Sequence, residues 1–251
     1  MFNAADTKAV LAPFSGNSAV KAMILAAGKG ERMLPLTLKC PKPLLNAAGK
    51  SLLEHWLQRL EAAGVTEIII NTAYLGEQIE AFALARKGLA TLTISREIEP
   101  LETGGAIHQA LPLLGDAPFL LVNGDVFCDV DLATVMTRAE VESAGAYFVL
   151  VDNPKHNPSG DFVLTAEGCV HDKKALVRQQ GKVLTFSGVS VMSPEMIRQY
   201  PECRHTFALR EVFNWAIARQ KIRGEYHPGY WLDVGTPARL KQLNDHLTED
   251  A

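Results

Sequence analysis

The segment MILAAGKGERMLPLTLKCPKPL, residues 23–44, predicts the first strand of the fold and the turn that follows it. The apolar run at 22–27 is typical of a buried strand, and Gly28 and Gly30 interrupt it. Glycine lets a backbone approach phosphate oxygens because it has no Cβ to clash with them. We expect a helix to follow this turn, so that its free N–H groups and the Arg32 guanidinium face an anion. A tight turn without a ligand would give the same glycine pattern.

Two prolines frame Lys42 a few residues later, in the sequence Pro41-Lys42-Pro43. Proline fixes its own φ and favours an extended conformation in the residue before it. The pattern therefore predicts an extended Lys42 with little backbone freedom, which suits a lysine that acts on a substrate. A stiff surface loop remains the alternative.

Two familiar phosphate-binding motifs do not fit the glycine turn. The dinucleotide motif GxGxxG needs a third glycine where this chain has Met33, and the motif GxxxxGK[ST] is absent. If the turn binds phosphate, it belongs to another class of loop.

Strand-like and helix-like segments alternate in the first half of the chain, which predicts an α/β fold with a mostly parallel sheet and helices on both faces. A capping box of Ser51 and Glu54 marks the first helix. After residue 152, short strands separated by turns predict a smaller antiparallel part. The predicted strands are 22–27, 67–71, 90–94, 119–123, 145–151, 162–164, 169–171, 183–191 and 229–233, and the longer predicted helices are 51–63, 75–85, 103–111, 131–140 and 207–220.

The composition indicates a soluble globular protein. The 251 residues carry a formal net charge of −3, and 47% of them are hydrophobic. No apolar run is long enough to span a membrane, and the acidic balance does not suggest a nucleic-acid partner. Four scattered cysteines and the lack of a signal peptide favour the cytoplasm. Residues 1–20 lack periodicity and are predicted to be a flexible extension.

Four segments together resemble the signature of the sugar-1-phosphate nucleotidyltransferases: LAAGKGERM (25–33), PKPL (41–44), GD (124–125) and WLDVGTP (231–237). The resemblance implies a Rossmann-like fold without a C-terminal β-helix, in a single domain over 21–251. It further implies a nucleotide-binding half at 21–151 and a sugar-binding half at 152–251. The expected substrates are a nucleoside triphosphate and a sugar 1-phosphate.

The resemblance also implies a role for individual residues. The catalytic residues would be Arg32 and Lys42, and Asp125 and Asp233 would bind Mg²⁺, which prefers carboxylate and phosphate oxygens. Each aspartate alone would more often be a turn or capping residue. The expected nucleotide-binding residues are Leu25, Ala26, Ala27, Gly28, Gly30, Glu102, Thr103 and Gly105, and the expected sugar-phosphate-binding residues are Asn123, Gly160, Asp161, Ser187 and Gly188.

Within that family, PLETGG (100–105) and NPSGDF (157–162) most closely resemble the N-acetylmuramate-1-phosphate uridylyltransferases of peptidoglycan recycling. The Glu-Lys-Pro stretch of many hexose-1-phosphate enzymes is absent before Ser187, which argues against glucose 1-phosphate. The alternatives are a mannose- or heptose-1-phosphate guanylyltransferase and a non-catalytic homologue that binds nucleotide sugars. The chain is expected to be a monomer or a small homo-oligomer.

Overall fold

The computed structural model describes residues 10–11, 20–139, 141–142, 145–174 and 180–249. Most of the predicted extension at 1–20 therefore lies outside the described residues. Within it, Val10–Leu11 forms a short strand that pairs antiparallel with Val141–Glu142.

Fifteen strands lie in the described part of the chain. They are β1 Val10–Leu11, β2 Lys21–Leu25, β3 Asn46–Ala47, β4 Lys50–Ser51, β5 Glu67–Thr72, β6 Thr91–Arg96, β7 Phe119–Asn123, β8 Val126–Cys128, β9 Val141–Glu142, β10 Ala146–Val151, β11 Phe162–Leu164, β12 Val170–Asp172, β13 Lys182–Met192, β14 Ile222–Tyr226 and β15 Trp231–Asp233.

The described part of the chain also contains seven α-helices. They are α1 Leu52–Ala62, α2 Gly76–Ala85, α3 Glu102–Leu114, α4 Leu132–Arg138, α5 Glu195–Arg198, α6 Leu209–Ala218 and α7 Pro237–Glu249. None of them is long and apolar enough to cross a membrane.

Nine of the described strands form one central sheet. Its first half has the order β6-β5-β2-β7 and is parallel throughout. Strand β13 then pairs antiparallel with β7 and carries the sheet into β10, β11 and β12, while β14 adds to β10 in parallel. This arrangement confirms the predicted α/β class with its parallel and antiparallel parts.

Both faces of the parallel half are covered by helices, as its continuous apolar strands predict. Along β2, the side chain of Met23 packs with α3 and α6, whereas those of Ala22 and Ile24 pack with α1 and α4. Successive residues of a strand point to opposite faces, so an apolar residue is needed at every position. The carboxyl ends of β2, β5 and β7 are thereby fixed side by side.

A third, smaller core positions the end of the chain. Leu232 and Val234 pack with Leu52 and with Leu243 of α7. In addition, β15 pairs antiparallel with β8, with Asp233 opposite Val126. This contact brings residues that are far apart in the sequence to the rim of the central sheet.

Candidate active site

A cleft of about 720 Å³ lies at the carboxyl ends of β2, β5 and β7. In open α/β sheets, ligands bind at this edge. Six of the predicted nucleotide-binding residues line it, together with Asn123, Lys42 and Asp125. The six are Leu25, Ala26, Ala27, Gly28, Glu102 and Thr103.

A buried hydrogen-bond network that the sequence analysis did not predict holds the wall of this cleft. Asn71, at the end of β5, accepts a hydrogen bond from Ala26 N at 2.7 Å and donates one to Glu97 Oε1 at 2.6 Å. The other carboxylate oxygen of Glu97 accepts from Leu101 N at 3.1 Å. Through Asn71, the Glu97 carboxylate thus links the backbone at Ala26 to the backbone at Leu101. A polar residue at the end of an apolar strand was the available signal in the sequence.

The two glycines of the turn have different surroundings. A Cβ built on Gly28 would have no atom within 4 Å, so the backbone there faces open space at the cleft wall. Gly30 has a φ of +65°, and a Cβ there would lie 3.0 Å from Thr37 Cγ2. The conformation of the turn therefore requires glycine at position 30. The prediction of a helix after the turn is wrong, because only a three-residue 3₁₀ turn, Glu31–Met33, follows it. Any anion bound here would meet the turn and nearby cations instead of a helix N-terminus.

Lys42 and Asp125 meet at the floor of the cleft. Lys42 Nζ lies 2.5 Å from Asp125 Oδ2, and the lysine is only 6% exposed. The predicted extended conformation of Lys42 is wrong: Pro41 is extended, and Lys42 begins a 3₁₀ turn over Lys42–Leu44. The proline before it and the turn after it still fix its backbone, and the ion pair with the partly exposed Asp125 holds its amine.

Asp233 lies next to this pair because β15 is paired with β8. The backbone N–H of Val234 donates to the carbonyl oxygen of Asp125 at 2.8 Å. Asp233 Oδ2 accepts from Arg239 Nη1 at 3.0 Å and lies 3.4 Å from His156 Nε2. Neither Arg239 nor His156 was predicted as a site residue.

Arg32, which follows the glycine turn, lies near Asp233. A Cβ built on Gly235 would lie 2.9 Å from Asp233 Oδ1 and 3.1 Å from Arg32 Nη2, so the two side chains come close to each other beside Gly235. Arg32 is exposed and forms no hydrogen bond or ion pair with the described residues. The four predicted residues Arg32, Lys42, Asp125 and Asp233 are therefore brought together.

The two aspartates fit a Mg²⁺ ion that substrate phosphates would share. Asp233 Oδ1 is buried and has no hydrogen-bond partner among the described residues. Asp125 uses only Oδ2 for Lys42, so each carboxylate keeps one oxygen for a metal. The described residues contain no group of three or more His, Cys, Asp or Glu side chains that could hold an ion alone. A pair of carboxylates completed by phosphate oxygens is the usual environment of Mg²⁺ in proteins.

The predicted sugar-phosphate residues lie around β13, and most have structural contacts. Ser187 is fully buried, and Gly188 has a φ of +83°. A Cβ at Gly188 would lie 2.8 Å from Asn123 Nδ2, so the strand and the amide pack closely. Asp161 accepts from Asn157 Nδ2 and from Phe186 N, which occupies both of its oxygens. Among these residues, Asn123 is the one that lines the cleft.

Three further predicted residues also have a role in packing. Gly160 has a φ of +58°, and its carbonyl oxygen accepts from Lys173 Nζ at 2.8 Å. Gly105 is buried, and a Cβ there would lie 2.5 Å from the carbonyl oxygen of His205. Thr103 lines the cleft, but its hydroxyl accepts a hydrogen bond from Leu209 N at the start of α6.

Comparison with known proteins identifies the family of this chain. The profile of the family described as nucleotidyl transferase matches residues 21–250. The N-acetylmuramate alpha-1-phosphate uridylyltransferase of Neisseria meningitidis serogroup B is 47% identical over 228 residues, which cover 89% of this chain and 96% of that relative. The protein of the same name from Caulobacter vibrioides is 35% identical over 241 residues, with 91% and 97% covered.

A solved structure shares the fold. The crystal structure of HddC from Yersinia pseudotuberculosis complexed with GMP-PN matches with a TM-score of 0.72, at 23% identity. The match covers 91% of this chain and 99% of that chain. From the profile, the two relatives and the site together, the chain belongs to the nucleotidyl transferase family.

Proposed function

We propose that this protein transfers UMP from UTP to N-acetylmuramate 1-phosphate, which gives UDP-N-acetylmuramate and pyrophosphate, as a cytoplasmic step of peptidoglycan recycling. The observation that carries the proposal is the meeting of Arg32, Lys42, Asp125 and Asp233 at the end of the nucleotide cleft. The two relatives that bear the name of this activity match this chain over nearly their whole length, which supports the choice of base and sugar. The four cysteines are unpaired, which fits a reducing compartment.

In this reaction, an oxygen of the sugar phosphate attacks the α-phosphorus of UTP. The bond between the α-phosphorus and its bridging oxygen breaks, and pyrophosphate leaves with the electron pair. The attacking oxygen is already ionised, so no general base is needed. The protein must align two polyanions and offset their repulsion.

The contacts of Lys42 and Arg32 suggest which substrate each of them binds. Lys42 is buried, fixed and adjacent to Asp125 at the cleft, so its amine can orient and neutralise the attacking phosphate. Arg32 is exposed beside Asp233, so its planar guanidinium can bind the triphosphate with two donors. Arg239 donates a hydrogen bond to Asp233 Oδ2, and Asp233 Oδ1 keeps no hydrogen-bond partner among the described residues, so it is available to a metal.

Asp125 and Asp233 would hold Mg²⁺ through their free oxygens. Bound there, the ion would offset the charge that develops on the phosphate oxygens. The chain's own part is to keep the two carboxylates adjacent, which the pairing of β8 with β15 does.

The decisive experiment is a pyrophosphate-release screen of the purified protein. UTP and GTP are each paired with N-acetylmuramate 1-phosphate, N-acetylglucosamine 1-phosphate and mannose 1-phosphate. We expect turnover to be fastest with UTP and N-acetylmuramate 1-phosphate. Preference for GTP and mannose 1-phosphate would replace the proposal with guanylyl transfer, and no release with any pair would favour a binding protein.

The metal assignment is tested separately with Asp125→Asn and Asp233→Asn. Asp245→Asn is the matched control, because Asp245 is partly exposed on α7 and pairs with Lys241. We expect the first two variants to remain folded like the control. They should nearly abolish pyrophosphate release and weaken calorimetric binding of Mg²⁺ in the presence of UTP. Unchanged Mg²⁺ binding in both variants would show that these carboxylates are not the ligands.

A further inference from the structure

The two aspartates proposed to bind Mg²⁺ belong to a small sheet of their own. Asp125 directly precedes β8, and Asp233 is the last residue of β15. Among the described residues, these two strands pair only with each other, with Trp231 opposite Cys128 and Asp233 opposite Val126. A two-stranded ladder of this length is marginally stable by itself, and a slip by one residue would turn its side chains to the other face. Contacts outside the ladder must therefore help to fix the register that keeps the two carboxylates adjacent.

Asp129 holds the end of this ladder that lies away from the two aspartates. Its backbone N–H donates to the carbonyl oxygen of Tyr230 at 3.0 Å, and its Oδ2 accepts from Tyr230 N at 2.9 Å. In a regular antiparallel pair, the Tyr230 N–H would donate to the backbone carbonyl oxygen of the residue opposite. The carboxylate takes the place of that carbonyl, so it adds one more paired residue to the ladder.

The same carboxylate connects the small sheet to the central one. Asp129 Oδ1 lies 2.5 Å from His227 Nε2, and the imidazole side chain is only 15% exposed. His227 directly follows β14, and its backbone N–H donates to the carbonyl oxygen of Leu150 in β10 at 2.8 Å. A Cβ on Gly229 would clash with both Asp129 and His227, so glycine lets the loop before β15 fold closely over the carboxylate. Asp129 therefore links β8, β15 and the edge of the central sheet.

Neither Asp129 nor His227 lines the cleft, and both oxygens of Asp129 are used within the fold. We propose that Asp129, held by His227, is a positioning residue that fixes the register of β8 and β15 and so sets the affinity of Asp125 and Asp233 for Mg²⁺. Removal of a residue that supports metal ligands lowers metal affinity about 10- to 100-fold in other proteins. The inference rests on the proposed function and adds to it two residues that touch neither metal nor substrate.

The test compares Asp129→Ala with Asp131→Ala. Asp131 is the matched control, because its carboxylate also accepts from backbone N–H groups but caps α4 instead of joining β8 to β15. The binding probe is Mn²⁺ in the presence of UTP, followed by electron paramagnetic resonance with UTP alone as the blank. We expect Asp129→Ala to raise the Kd for Mn²⁺ about tenfold, and Asp131→Ala to leave it within about twofold of the wild type.

The dependence of the rate on Mg²⁺ separates positioning from a general loss of structure. Asp129→Ala should need about tenfold more Mg²⁺ for its half-maximal rate of pyrophosphate release. At saturating Mg²⁺, its kcat should return to within about twofold of the wild type, because the reacting groups themselves are unchanged. A purely structural role would lower the rate at every Mg²⁺ concentration.

Two further variants test the pair itself. In Asp129→Asn, the side-chain oxygen can still accept from Tyr230 N, so the Kd for Mn²⁺ should rise by no more than about threefold. His227→Ala should also raise it about threefold, and in combination with Asp129→Ala it should add nothing, because the two side chains act through one contact.

The outcomes distinguish this inference from the proposed function. If Asp129→Ala binds Mn²⁺ as tightly as Asp131→Ala, or if its kcat stays low at saturating Mg²⁺, the inference is overturned and the proposed function stands. Should Asp129→Ala fail to fold, His227→Ala decides, and an unchanged Kd in that variant overturns the inference. If the wild type releases no pyrophosphate from UTP, the proposed function fails, whereas the Mn²⁺ comparison needs no turnover and still decides the role of Asp129.

Discussion

Replacement of Asn71 by alanine should weaken the fold and the nucleotide site together. Asn71 is 3% exposed, and its amide bridges Ala26 N and Glu97 Oε1. The change leaves one buried N–H and one buried carboxylate oxygen without their partner. Each such loss costs about 1–3 kcal/mol, so we expect the free energy of unfolding to fall by about 3 kcal/mol. For a chain of this size, that corresponds to a decrease of about 9 °C in the unfolding temperature.

The same change should alter catalysis, because Ala26 forms part of the cleft wall and Glu97 also holds Leu101. When this framework relaxes, the two backbone segments around the nucleotide lose their fixed spacing. We expect KM for UTP to rise about tenfold, with a smaller effect on KM for the sugar phosphate.

Guanidinium denaturation, thermal unfolding and steady-state kinetics measure both effects. Asn214→Ala is the control, since Asn214 is exposed on α6 and its amide oxygen accepts from Arg210. The reasoning is refuted if Asn71→Ala unfolds within 2 °C of the control and keeps the wild-type KM for UTP. A loss of stability with an unchanged KM would keep the energetic argument and reject the link to the cleft.

Four other substitutions test the catalytic lysine, one ion pair and the space around two glycines. Lys42→Ala should lower kcat for pyrophosphate release about 100- to 1,000-fold, with the fold retained, and an unaffected kcat would exclude its amine from the reaction. Arg86 donates hydrogen bonds to Glu61 and so lowers the pKa of that carboxyl from 4.5 to about 2. The stabilisation is thus present above pH 4.5 and is lost as the pH falls toward 2, so the unfolding free energies of the wild type and Glu61→Gln should converge over that range; a constant difference would contradict this. Gly28→Ala should leave the unfolding temperature unchanged but raise KM for UTP, whereas Gly105→Ala should destabilise the fold by about 2 kcal/mol, and equal unfolding temperatures would rule out the close contact at Gly105.

Elements with a strong local pattern were predictable from the sequence. Strand β7, Phe119–Asn123, has the predicted bounds because four apolar residues and Asn123 are followed by a glycine. Helix α1 begins after Ser51, whose hydroxyl accepts from Glu54 N, as half of the predicted capping box requires. The predicted end of α3 at residue 111 is wrong: the helix includes Pro112 and continues to Leu114, which is 1% exposed. Burial of the last turn outweighs the hydrogen bond that proline cannot donate.

Elements whose formation depends on residues far away in the sequence were not predicted. Strand β14 has the sequence IRGEY, with two charges and a glycine, and its pairing with β10 is what makes it a strand. The same reason applies in the site. Arg32, Lys42, Asp125 and Asp233 lie in recognisable segments, whereas His156 and Arg239 are 83 residues apart in the sequence and acquire a role only when they meet.

Strand β13 has a consequence for how this protein can move. It pairs with β11 at residues 182–184, with β7 at residues 189–192 and with β10 at residues 185–192. The parallel and antiparallel parts of the central sheet therefore share one continuous strand. A rotation of one part against the other would have to bend this strand or break its ladder hydrogen bonds. We therefore expect adjustment to a bound substrate to occur mainly in the loops that leave the sheet.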